Sequence, residues 1–187
     1  MDKKQAILET ALKLFVDNGF HGTATSKIAS YSGVATGTLF NYFKTKEELI
    51  FALYHLINKE MDDYIVERMG FLSVSKESFQ FVFSAAVSWS LEKPYHFRYL
   101  QQFNHSPFSK VSGLAVLNKE ENPVCVLIQN GIDVVLIKQL PVLFIYMLFC
   151  SQTSGLYDYI SSNKFESAQQ SELIEEAFEM FWKMIED

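Results

Sequence analysis

The residues of this 187-residue chain whose types and spacing could do chemistry are densest between Ser32 and Phe43, SGVATGTLFNYF. Thr36, Thr38, Asn41 and Tyr42 place two hydroxyls, a carboxamide and a phenol within two helical turns, with no charged group among them. Such groups donate and accept hydrogen bonds at neutral pH without ionising, which suits reading a polar surface better than breaking a bond. Leu39 and Phe43, one turn apart, give the same segment an apolar side by which it can be held.

Elsewhere the chain offers little to a catalyst. His21, His55, His96 and His105 are scattered, and His96 and His105, nine apart, have no carboxylate at metal-ligand spacing. GVATGTL contains two glycines but lacks the GK[ST] ending and the preceding strand of a phosphate loop. No order of serine, histidine and aspartate suggests a triad. Cys125 and Cys150 sit inside apolar runs without CxxC spacing, the pattern of buried free thiols in a reducing compartment. The expectation is a protein that is not an enzyme and uses no metal and no cofactor.

The elements that must position these groups read as helices throughout. Ile7, Leu8, Ala11, Leu14 and Phe15 share one face of a first helix, with Gly19 in DNGF free to take a left-handed C-terminal conformation. Thr25 is placed to cap a short second helix carrying Ile28 and Ala29 inward, Gly33 breaks it, and 36–43 forms a third. A long fourth helix runs from KTKEEL to Gly70, with Glu47 and Glu48 in its first turn where the helix dipole favours them. Glu77–Leu91 reads as a buried fifth, and Pro94 opens another. The stretch from Ser106 to Pro123 is the loosest, followed by a helix through VCVLIQNGI. DVVLIKQL has β-branched content but no partner strand, which makes it an extended connector or helix end. Pro141 opens a long apolar helix, and 168–186 forms the last. The apolar run LPVLFIYMLFC, 140–150, falls short of the roughly 20 residues that span a bilayer. The opening MDKKQAILETALKLF carries acidic residues where a signal peptide has its apolar core. A soluble, cytoplasmic, all-α protein with no membrane association is expected.

Charge divides the chain unevenly. Overall it is −6, yet residues 1–50 hold six lysines against five acids, +1, while 51–187 hold ten basic residues against seventeen acids, −7. Only the N-terminal quarter can approach a polyanion without repulsion. There, two short helices joined at Gly33 pack through Ile28, Ala29, Val34, Leu39 and Phe43 over Leu14 and Phe15. The second helix of such a pair can lie in the major groove of DNA while the first crosses the backbone. Small hydroxyls and an amide let a helix approach base edges closely, and Lys27, Lys44 and Lys46 supply charge at the rim.

ATSKIASYSGVATGTLFNYFKTKEELI, 24–50, resembles the DNA-binding signature of the TetR family of bacterial transcriptional regulators: a helix with an Ile-Ala pair, an SGV turn, GTLY..F and K.KEEL in register. The detailed resemblance covers residues 5–50. It implies that Ser26, Thr36, Gly37 and Asn41 face base edges and that Thr25, Thr38, Tyr42 and Lys46 meet phosphates. Two positions depart from the pattern. Phe40 stands where a tyrosine hydroxyl is usual, and Ala35 replaces a serine that caps the third helix.

Two features belong to the remainder. On the last helix Ile174, Ala177, Phe178, Phe181, Trp182 and Ile185 line one face, widened by Leu173, Met180 and Met184. This face exceeds what one neighbour needs and suggests a four-helix homodimer interface with the preceding helix, where Gly155 permits close approach. A symmetric dimer suits the front end, since two recognition helices about 34–36 Å apart read a palindrome. Aromatic residues, among them Phe83, Trp89, Tyr95, Phe97, Phe103, Phe144, Phe149 and Tyr157, are dense enough through the middle of the chain to line a mostly apolar pocket. The expected effector is hydrophobic and carries little negative charge. The expected organisation is a helix-turn-helix DNA-binding domain, 1–46, joined to a helical ligand-binding and dimerisation domain, 47–187. The fourth helix is the lever by which such a ligand alters operator binding, and release of a repressor is the mode the resemblance implies. The alternative is a hydrophobic-ligand carrier or helical interaction module without DNA binding.

Overall fold

Helix-favouring periodicity and well-placed caps produce ten α-helices among the described residues of a computed structural model, which are 2–69, 73–112 and 121–187. They are α1 Lys3–Gly22, α2 Thr25–Tyr31, α3 Thr36–Tyr42, α4 Lys46–Met69, α5 Lys76–Glu92, α6 Pro94–Asn104, α7 Pro107–Ser112, α8 Pro123–Asp133, α9 Val142–Ser162 and α10 Ser167–Ile185. The all-α expectation holds. Gly70, expected to end α4, and residues 113–120 of the loosest stretch lie outside the described residues. No described helix is long and apolar enough to cross a membrane.

The backbone clusters into two compact units, Met1–Glu60 with Lys93–Gly113, and Met61–Glu92 with Leu114–Asp187. In the first unit α1 packs against α2, α3 and α6. Its core joins Ile7, Phe15, Ile28, Leu39 and Ile50, all fully buried. The phenol of Tyr99 on α6 donates to the Ile50 carbonyl at 2.8 Å, and burial raises its pKa above the usual tyrosine range. Tyr54 stacks on Phe103 at 4.0 Å between ring centroids. Glu60 binds the Lys93 ammonium at 3.0 Å and lies 3.4 Å from His96, pinning the start of α6 to α4.

In the second unit α5, α9 and α10 pack together around Phe83, which meets Phe149, Phe178 and Phe181 at 5.7–5.8 Å between centroids. α8 packs on α9. Gly131 lets α8 approach α5 so closely that a Cβ there would stand 2.9 Å from the Phe79 ring. Both cysteines are free thiols. Cys125 is buried, and burial pushes the Cys150 thiol up to about 12.

Two local details differ from the pattern reading. Gly19 does take a positive φ of 76°, but with ψ 162° it kinks the chain, and helix resumes through Gly22. The N-cap of α2 is Ala24, with Thr25 the first helical residue, and no side chain caps this end. Thr23 instead turns inward, fully buried, its hydroxyl shared between the carbonyls of Leu14 and Gly19. The connector 134–140 is irregular, as expected, and forms one isolated bridge between Ile137 and Glu186. Within it Val135 takes φ 56°, a left-handed conformation that costs an ordinary L residue about 1–2 kcal/mol.

Candidate nucleic-acid interface

The α2–turn–α3 segment is built by a glycine and two buried anchors. Gly33 takes φ 71° while its N–H bonds Ser30 O at 3.2 Å and the Val34 N–H bonds Ala29 O at 3.0 Å, a Schellman ending that reverses the chain after α2. Ile28 and Leu39, both 0% exposed, lock the two helices onto α1. Ser32 donates to the carbonyls of Ile28 and Ala29, closing the last turn of α2. α3 starts at Ala35 without a side-chain cap, in agreement with the alanine found there. α4 begins more firmly, with Thr45 Oγ1 accepting from the Glu48 N–H at 3.1 Å and the Glu48 carboxylate accepting from the Lys44 N–H at 2.6 Å.

With Leu39 inward, helical phase turns Gly37 and Asn41 outward, and Thr36 and Phe40 are exposed with them. Ser26, Tyr42 and Lys44 are exposed as well, whereas Thr25, Lys27, Thr38 and Lys46 are half-buried. All ten residues singled out for DNA contact therefore lie in the first unit. A Cβ added at Gly37 would meet nothing within 4 Å, so nothing in this chain's packing requires glycine there. Tyr31, 70% exposed at the end of α2 with the Lys27 ammonium 5.8 Å above its ring, was not singled out by the sequence. Its spacing of four from Lys27 is the signal that could have drawn attention to it.

The eight aromatic residues expected to line a pocket fall into both units. Tyr95, Phe97 and Phe103 belong to the first, and Phe83, Trp89, Phe144, Phe149 and Tyr157 to the second. Tyr95 and Phe144 are exposed, and the other six are buried. A groove of about 260 Å³ in the second unit is lined by Val66, Met69, Val74, Val126 and Leu127, with Glu121 as its one acid. None of the eight lines it.

Of the residues expected at a dimer interface, Phe178, Phe181, Trp182 and Ile185 are at most 5% exposed and are packed within the chain itself. Ile174 is half-buried, and Gly155 is exposed with open space where a Cβ would stand. The large apolar side chains left at the surface of these two helices include Phe144 and Met147 on α9 and Met180 and Met184 on α10. Periodicity had shown the apolar face of α10 to be wide, but not which half the chain covers.

Comparison with known proteins bears on the whole arrangement. Residues 7–53 match the model for bacterial regulatory proteins of the tetR family. The fatty acid metabolism regulator protein of Bacillus subtilis (strain 168) is 39% identical over 67 residues, which are 36% of this chain and 32% of that protein. The chain thus spans only about a third of the length of the curated relative it matches. A tetR family transcription regulator of Shewanella sp. PV-4 has the same fold over 100% of both chains, with a TM-score of 0.80 and 29% identity. The transcriptional regulator FadR of Bacillus subtilis, solved in complex with stearoyl-CoA, shares the fold over 95% of this chain and 96% of its own, with a TM-score of 0.73 and 22% identity. The helix-turn-helix motif and its buried anchors agree with the tetR-family model over residues 7–53, and the course of the chain beyond them follows the fold of the solved tetR-family regulator of Shewanella sp. PV-4.

Proposed function

We propose that this chain is a transcriptional regulator that binds a palindromic DNA operator as a homodimer and is released from it by a hydrophobic small molecule. The observation that carries the DNA reading is the outward face of α3. It presents Thr36 and Asn41 with Gly37, which the packing does not require, and glycine inside a helix is destabilising by about 0.5–1 kcal/mol relative to alanine. A bare backbone patch on a helix is explained when another surface must come close to it, as a groove floor would. Ser26, Thr36, Gly37 and Asn41 take the base edges in this reading. Thr25, Lys27, Thr38, Tyr42, Lys44 and Lys46 take the phosphates. Residues 1–46 act as the DNA-binding domain and 47–187 as the regulatory one.

The same logic supports the dimer. Gly155 sits in α9 with open space around it, two to three turns along the same helix from exposed Phe144 and Met147, while α10 leaves Met180 and Met184 exposed. A second copy packing across α9 and α10 covers these side chains and uses the close approach the glycine allows. For the effector, the aromatic residues of the body favour an apolar molecule. The Bacillus subtilis FadR was solved with stearoyl-CoA, of which the acyl chain and not the charged coenzyme A head matches this apolar reading. α4, whose residues belong to both compact units, is the element through which ligand and operator affinity are coupled.

Selection of bound duplexes from genomic fragments tests the reading. A palindromic winner that holds two copies of the chain, and is lost when an apolar effector is added, is the expected result. If no duplex is enriched, even after the protein is unfolded and refolded to strip any co-purified ligand, the carrier reading replaces it.

A further inference from the structure

Two reversals in this chain use one backbone motif with opposite residue choices. After α2 the left-handed position is Gly33. After α8 it is Val135: its N–H bonds Ile132 O at 3.0 Å and the Leu136 N–H bonds Gly131 O at 2.9 Å, again a Schellman ending. Val135 is the one residue other than glycine with a positive φ among the described residues. Its side chain is 60% exposed and that of Val134 is 61% exposed, so the chain gives these valines little contact in return for the strain.

Strain of this kind persists where the surroundings over-determine it, and it concentrates at sites that function uses. Here the surroundings are strong. The Gln139 carboxamide donates to Ile132 O at 2.7 Å, and the Lys138 N–H donates to Ile185 O at 2.8 Å. The Lys138 ammonium holds Met184 O at 2.9 Å. The tip is therefore fixed, and it is fastened to the last turn of α10. That turn carries Met184, with Met180 one turn earlier, and α9 starts seven residues after Val135 with Phe144 and Met147 exposed in its first two turns.

We propose that the Val134–Val135 tip is a preformed knob received by a second copy of this chain. It extends the α9–α10 dimer face, and the proposal rests on that reading. A standard interface buries about 800 Å² per partner, and the exposed large apolar side chains of α9 and α10, Tyr159 among them, supply only part of that. The tip adds apolar area where the helices run short. Valine suits the role because its stiff χ1 leaves little side-chain freedom to lose on contact.

Sedimentation of the full chain over a concentration series tests this with three variants. Val134→Asp, an exposed and unstrained position, weakens dimerisation about tenfold or more without altering the helical circular dichroism. Met147→Asp, on the α9 face, gives a monomer. On that monomeric background Val135→Gly raises the unfolding temperature, and in the otherwise unaltered chain it weakens the dimer. If Val134→Asp and Val135→Gly dimerise as tightly as the original while Met147→Asp does not, the tip proposal is overturned and the α9–α10 reading stands. If the original chain is monomeric throughout, with and without an enriched duplex, the dimer reading itself falls and takes the tip with it.

Discussion

Asn41 and Gly37 share the outward face of α3, yet a substitution at each tests something different. Asn41 can offer a donor and an acceptor together to adenine. Asn41→Ala is expected to relax preference at one base pair per half-site, losing about 1–3 kcal/mol of discrimination, as read by competition with duplexes altered at single positions. Gly37→Ala should act in opposite directions on fold and function. With open space around it, the methyl stabilises α3 by about 0.5–1 kcal/mol, and it lowers operator affinity by standing where the groove must approach. A more stable variant with unchanged affinity would show that this face never meets DNA. At this scale the burial of Ile28 and Leu39 and the outward placement of Gly37 and Asn41 were legible, because residue type and register carry them. The exposed Tyr31 was not, because the motif gives that position no weight. Nor was the inward placement of Phe178 and Trp182, because periodicity marks a face as apolar without saying what covers it.

Helix ends explain much of what the sequence showed and where it misled. The apolar run VCVLIQNGI marked α8, and Asn122 caps it, accepting from the Cys125 N–H at 3.0 Å. Thr45 and Glu48 make a comparable signal for α4. Thr25 looked like a cap, but the hydroxyl that counts is Thr23, which is spent on the α1 kink and leaves α2 uncapped. α3 lacks a cap too, so Ala35→Ser is expected to add about 0.5–2 kcal/mol of stability. In a chain of this size that raises the melting temperature by about 2–4 °C for each kcal/mol gained. The junction of α4 and α6 carries a pH dependence. Burial holds His96 below its ordinary value of 6.5, the Lys93 charge adds to this, and Glu60 opposes it. The folded chain therefore binds fewer protons than the unfolded one just below that value. Stability is full above about pH 6.5 and is lost as pH falls through the lowered pKa. Denaturant midpoints at about pH 7 and about pH 5 should differ in that sense, and His96→Asn should shrink the difference.

Over the whole molecule, charge decides whether the proposed interface can work. A body of −7 repels a polyanion, and the first fifty residues, at +1, offer few cations to offset it. Half of the groups assigned to phosphates here, Thr25, Thr38 and Tyr42, are neutral, which leaves Lys27, Lys44 and Lys46 to displace counterions. Six such lysines per dimer give a slope of log affinity against log salt of roughly −5, a loss of about 10³-fold between 50 and 200 mM. That is shallow for a DNA-binding dimer, so sequence-independent binding should be weak and discrimination should rest on the α3 face. Lys46→Ala should weaken all duplexes alike and flatten the slope by about one per subunit, whereas Asn41→Ala should leave the slope where it was. A slope near zero for the unaltered chain would mean that these lysines displace no counterions. The exposed hydroxyls of α3 would then serve a neutral partner, as in a carrier of apolar molecules.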